Sequence, residues 1–175
     1  MLDTLITSKT RLKLLLKFFL NSNTTSYLRD LEGEFGESTN AIRLELNRFE
    51  EAGLLNTEPR GNKKIFQANT KHPLFKDINS IVLKYIGLDQ LIERVITQLG
   101  GVQSAYLTGN FAKGLDSKFI DVVLIGNQLN SDYLIHLISK AESFVNRKIR
   151  YVILEPGEFS DHMEEHPEAL LLWKV

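Results

Sequence analysis

Between Ser38 and Gly53 the chain reads as a capped, strongly amphipathic helix. Ile42, Leu46 and Phe49 recur at i, i+4 and i+7 and so share one stripe, which leaves Thr39, Asn40, Arg43 and Asn47 on the opposite side. Ser38 is a good N-cap and Gly53 a natural C-terminal stop. A helix with one narrow apolar stripe has to be packed by other helices, and two sit just upstream. Ser8 caps a segment with Leu12, Leu15, Leu16, Phe19 and Leu20 at helical spacing, with Lys9, Arg11, Lys13 and Lys17 on its remaining face. After the polar run 21–25, a short helix from about Ser26 to Phe35 buries Leu28, Leu31 and Phe35 and stops at Gly36. Downstream, 54–58 and 64–68 read as short strands joined by Pro59-Arg60-Gly61-Asn62-Lys63, a hairpin with basic residues.

Three helices followed by a basic hairpin give this segment its chemistry. The third helix offers short hydrogen-bonding side chains and one arginine at its N-terminal end, the size and polarity that enter a major groove. Arg60, Lys63 and Lys64, with Asn62 at the tip, suit phosphate or minor-groove contact. Glu37 and Glu45 add negative charge nearby, and Leu44 is apolar where a groove-facing residue is more often polar. Ser38 to Leu55 with its hairpin resembles the recognition helix and wing of ArsR/MarR-type winged-helix regulators. That resemblance implies double-stranded DNA as partner, with Ser38, Thr39, Asn40, Arg43, Asn47, Arg60, Asn62, Lys63 and Lys64 as the contacting residues.

From His72-Pro73 onward two helical patterns follow. Leu74, Phe75, Ile78, Ile81, Val82, Tyr85 and Ile86 precede Gly87; Leu88, Leu91, Ile92, Val95, Ile96 and Leu99 end at Gly100-Gly101. This is more apolar surface than a 70-residue winged helix needs. In ArsR/MarR-like proteins such flanking helices often form a dimer interface, so the resemblance implies a homodimer, while packing on a second domain is the plain alternative. Charge divides along the same line: residues 1–71 carry +2 and residues 72–175 carry −3.

Beyond the double glycine the pattern changes to β-branched runs at 102–106 and 120–125, a helix at 131–146, a third strand at 148–154 and an acidic helical tail from Pro156 that closes with Ala169–Trp173 as a cap. Strands alternating with helices make this an α/β or α+β unit. The segment Thr108-Gly109-Asn110-Phe111-Ala112-Lys113-Gly114, with Asp121 on the next strand, resembles the minimal nucleotidyltransferase domain of the DNA polymerase beta superfamily. The family's motif is Gly-Ser-x-Ala-x-Gly and then Ser-Asp-x-Asp. Its loop holds triphosphate oxygens, and its two aspartates on alternating strand positions hold Mg²⁺. Gly109, Phe111, Ala112 and Gly114 keep the pattern and Asp121 matches the second aspartate. Phe119 stands in place of the first, Lys118 and Asn110 replace the two serines, and Arg150 lies where active members place a third carboxylate. Asp116 is in the loop rather than on the strand. The resemblance therefore implies a degenerate nucleotide-binding motif at Gly109, Asn110, Gly114 and Asp121, without catalysis and without a bound metal or other cofactor.

The tail, with Pro156-x-Glu158-Phe159 and a Leu-Leu-x-x-x-Val end, also looks like that of winged-helix regulators fused to nucleotidyltransferase-like domains. The expected fold class is α+β: a winged helix-turn-helix over 1–71, connecting helices over 72–100 and a small nucleotidyltransferase-like α/β domain over 101–175. The expected function is DNA-binding transcriptional regulation, with a small molecule or protein as effector at the C-terminal domain. A nucleotidyltransferase and an antitoxin-like interaction module are the alternatives. With no cysteine, thiolate chemistry and disulfides are excluded. His162 and His166 are at helical i, i+4 spacing but lack the glutamate of a HExxH zinc motif. No apolar run of about 18 residues and no signal-peptide pattern occur, which predicts a cytoplasmic protein without membrane contact.

Overall fold

The computed structural model describes residues 2–175, which form two compact units, one ending at residue 85 and the other spanning residues 86–175. Among them no helix is long and apolar enough to cross a membrane.

The first unit opens with α1 (Leu2–Leu5) and α2 (Lys9–Leu15), which runs on as a π-helical stretch, Leu16–Leu20. β1 (Thr25–Tyr27), α3 (Leu28–Phe35), α4 (Thr39–Glu51), β2 (Leu55–Arg60) and β3 (Lys63–Ala68) follow, and α5 (Phe75–Ile86) ends it. The apolar stripes predict the core: Leu14, Phe18, Phe19, Leu31, Ile42, Leu46 and Phe49 are buried, and Phe19 meets Phe49 edge to face at 6.4 Å. The π stretch leaves carbonyls without helical partners, and Asn79 of α5 donates to Phe19 O at 2.6 Å. Lys17 is buried rather than solvated as its helix pattern suggests, with its ammonium 2.7 Å from Glu34.

The sheet order is β1-β3-β2, all antiparallel. The helix expected from Ser26 begins only at Leu28. Residues 25–27 instead pair with Gln67–Ile65 and bury Ser26, because β3 would otherwise present an unpaired edge. The hairpin strands also run further than expected. Arg60 pairs with Lys63, and only Gly61-Asn62 turns, with Gly61 at φ 62, a position glycine fills without strain. Pro59 is tolerated because β2 is an edge strand.

The second unit begins with α6 (Leu88–Leu91), a π turn at Ile92–Ile96 and α7 (Thr97–Leu99). β4 (Val102–Thr108), α8 (Gly109–Ala112), β5 (Phe119–Gly126), α9 (Ser131–Glu142), β6 (Lys148–Leu154), α10 (Phe159–Glu165) and β7 (Leu170–Lys174) complete it. The sheet order is β6-β5-β4-β7; β5 and β6 are parallel and joined through α9, and the other pairs are antiparallel. β5 is flanked on both sides, and its run Ile120 and Val122–Ile125 is buried throughout.

Two boundaries differ from the sequence reading. α9 stops at Glu142 instead of Asn146, where the Glu142 carboxylate accepts from the Ile149 N–H. The acidic tail is helical only to Glu165. Pro167 cannot continue a helix, so the apolar segment after it is a fourth strand on β4, with Ala105 opposite Trp173, and not part of a capping helix.

Candidate functional site

In the first unit, the exposed side of α4, the start of α3 and the hairpin enclose a cleft of about 650 Å³. Thr39, Arg43, Asn47, Asn62, Lys63 and Lys64 line it, so six of the nine residues singled out in the sequence converge there. Arg60 is exposed beside the hairpin tip, and Asn40 is exposed on α4 outside the lining. Ser38 is committed to its cap: its hydroxyl oxygen accepts from the Ala41 N–H at 3.2 Å. Tyr27, Leu28, Arg29 and Glu32 complete the wall, with Leu46 and Phe66 beneath. Those residues were illegible in the sequence because β1 was read as helix, which hid the approach of the α3 start to the hairpin.

Several charges of this unit are paired within it. Arg11 grips the buried Glu45 through two nitrogens at 2.8 and 3.2 Å, with Arg48 adding a third contact at 3.0 Å. Burial works to raise the Glu45 pKa, but the Arg11 hydrogen bond and charge, with Arg48 and Ser8, outweigh it and hold the carboxyl below its ordinary value. Glu45 therefore ties α4 to α2 and is not a repulsive charge on the open face. Glu37 is likewise taken up by Lys13 at 2.7 Å. Lys64 pairs with Glu50, whose carboxyl is held low chiefly by that hydrogen bond. Among the described residues Arg29, Arg43 and Arg60 have no carboxylate partner, and the same holds for Lys9, Lys71, Lys76 and Lys84 away from the cleft. Lys63 has none either, and its ammonium lies 3.9 Å from the centre of the Tyr27 ring.

In the second unit Gly109 and Asp121 belong to a closed polar cluster. Asp121 lies opposite Thr108 of β4 and beside Arg150 of β6 in the sheet register. Arg150 Nε is 2.6 Å from Asp121 Oδ1, and its guanidinium stacks 4.4 Å over the Phe119 ring. The Asp121 hydrogen bond raises the Arg150 pKa further. Gly109 has φ 67, and a Cβ there would sit 2.5 Å from Asp121 Oδ2, so both conformation and space require glycine. The Gly109 N–H donates to Glu168 Oε1 at 3.3 Å, and His166 Nδ1 lies 3.3 Å from the same oxygen. Burial favours the protonated form of Glu168, yet backbone hydrogen bonds, His166 and Lys113 lower its pKa on balance. Asn110 is exposed and Gly114 is buried at φ 76. Asp116 stays in the loop, 3.0 Å from Arg147, away from the strand position that the aspartate motif uses.

These residues do not fit a divalent metal. Phenylalanine at 119 and arginine at 150 leave Asp121, already charge-paired, and Glu168, engaged by the Gly109 N–H and lying beside His166, where an ion on a triphosphate needs several hard oxygens. Among the described residues no group of three or more His, Asp or Glu side chains is placed to share an ion. His162 and His166 stack with centroids 4.8 Å apart.

No protein-family model and no curated protein matches the chain. Among solved structures, partial likenesses include a protein of Archaeoglobus fulgidus (21% identity, TM-score 0.39), which matches over 47% of this chain and 93% of its own. A Shewanella oneidensis complex of a HEPN toxin with an MNT antitoxin matches at 15% identity and TM-score 0.38, over 51% of this chain and 71% of that one. A candidate nucleotidyltransferase from Sulfolobus solfataricus matches at 22% identity and TM-score 0.38, over 55% and 86%.

Proposed function

We propose that the first unit is a winged helix-turn-helix that binds double-stranded DNA, and that the chain is a transcriptional regulator whose second unit does not transfer nucleotides. α4 would enter the major groove, presenting Thr39, Arg43 and Asn47, and the hairpin would lie against the phosphate backbone. The observation that carries this reading is the distribution of charge. Arg11, Lys13 and Arg48 are each paired with a glutamate, whereas Arg29, Arg43 and Lys63 line one concave surface without a carboxylate partner, and Arg60 is exposed beside the hairpin tip. A polyanion gains most from cations that have no internal partner to give up.

Recovery of genomic fragments on the purified full chain tests this. Wild type is expected to enrich a defined site, and Arg43→Ala to lose about 1–3 kcal/mol there while random duplex is affected less. Equal loss on every duplex would make Arg43 a phosphate contact. No enrichment by wild type at low salt would remove DNA as the partner, and a stoichiometric co-purifying protein would then favour an antitoxin-like interaction module.

A further inference from the structure

In the second unit two positions that would meet external charges are already filled from within the chain. The side of Asp121 open to a cation is taken by Arg150, held in place by the ion pair and by its stacking on Phe119. The backbone N–H of Gly109, the donor with which such a loop meets an anionic oxygen, is taken by Glu168. The two contacts are adjacent, because Asp121 Oδ2 lies against Gly109 so closely that no Cβ fits between them. Glu168 also stands two residues before β7, whose register on β4 starts with Leu107 opposite Leu170. The Tyr106 and Phe159 rings, 5.1 Å apart, fix the same segment one helix earlier.

We propose that this site is closed by the chain's own charges: Arg150 stands where a cation would sit and Glu168 where an anionic oxygen would sit, and the Glu168 contact latches the C-terminal strand to the loop. The cluster thereby excludes a divalent ion carrying a nucleoside triphosphate. Glu168, just ahead of the C-terminal strand, is the occupant on the anion side.

The test uses the full chain and two readouts, with Mn²⁺ and ATP as probes. Wild type is expected to show no Mn²⁺ binding by electron paramagnetic resonance, with or without ATP. Amide exchange at Leu170–Lys174 is expected to quicken about tenfold in Glu168→Ala, the loss of roughly one charge-assisted hydrogen bond. Glu168→Gln keeps an acceptor for the Gly109 N–H, so it should quicken exchange less, and it serves as the milder variant should alanine unfold the unit. Mn²⁺–ATP binding by wild type would overturn the proposal. So would unchanged β7 exchange in both Glu168 variants.

Discussion

Lys64 and Arg29 carry the same formal charge, but their surroundings give them different uses. Lys64 is held by Glu50 and lies 5.4 Å over Phe66, so binding a phosphate means giving up an existing partner. Arg29 is exposed at the first turn of α3, lines the cleft and has no carboxylate to release. Arg29→Ala is expected to flatten the slope of log affinity against log salt by about one, while Lys64→Ala changes it little; titrations at several salt concentrations read this directly. Glu45 makes a second case. Its pKa is lowered in the folded chain, so its stabilising contribution is complete above the unfolded carboxylate range and is lost as pH falls through the folded value. The melting-temperature gap between wild type and Glu45→Gln should therefore be widest near neutral pH and narrow below about pH 4. A gap that widens on acidification would contradict the ion-pair account.

At the scale of elements, the junction of β4 and α8 is set by one residue without a side chain. Gly109 combines φ 67 with a Cβ position 2.5 Å from an Asp121 carboxylate that Arg150 holds in place. Gly109→Ala is expected to lower the unfolding free energy in urea by about 1 kcal/mol or more. Gly157→Ala, with open space around it and no left-handed backbone, should change it by less than about 0.5 kcal/mol. The helix over 39–51 was legible in advance because a cap, a 3.6-residue period and a glycine stop all agree within one stretch. β1 and β7 were not, because neither has a period of its own. Thr25–Tyr27 is a strand only because β3 offers an edge, and Leu170–Lys174 is one because Pro167 ends the helix and β4 has a free side.

At the scale of the whole molecule, the DNA binding proposed above would place two copies of α4 on two half-sites. Leu74, just before α5, and Ile81 on it are about half exposed at 54% and 48%, with Ile78 between them in sequence. Light scattering of the full chain should then give the mass of a dimer, and Ile81→Glu should give a monomer that binds a palindromic site far more weakly. A monomeric wild type that still binds one half-site would remove the dimer and keep the DNA reading.

Local order was written in the sequence: the apolar stripe of α4, its cap, the glycine stops and the basic hairpin. Each depends on neighbours within a few residues, where backbone geometry alone determines which side chains share a face. Which charges remain free was decided only by tertiary structure. Arg11 and Glu45 are 34 residues apart, Lys64 and Glu50 are 14 apart, and Gly109 and Glu168 are 59 apart. A charge is cancelled by whatever the fold brings within about 4 Å of it, and no periodicity in the chain encodes that meeting.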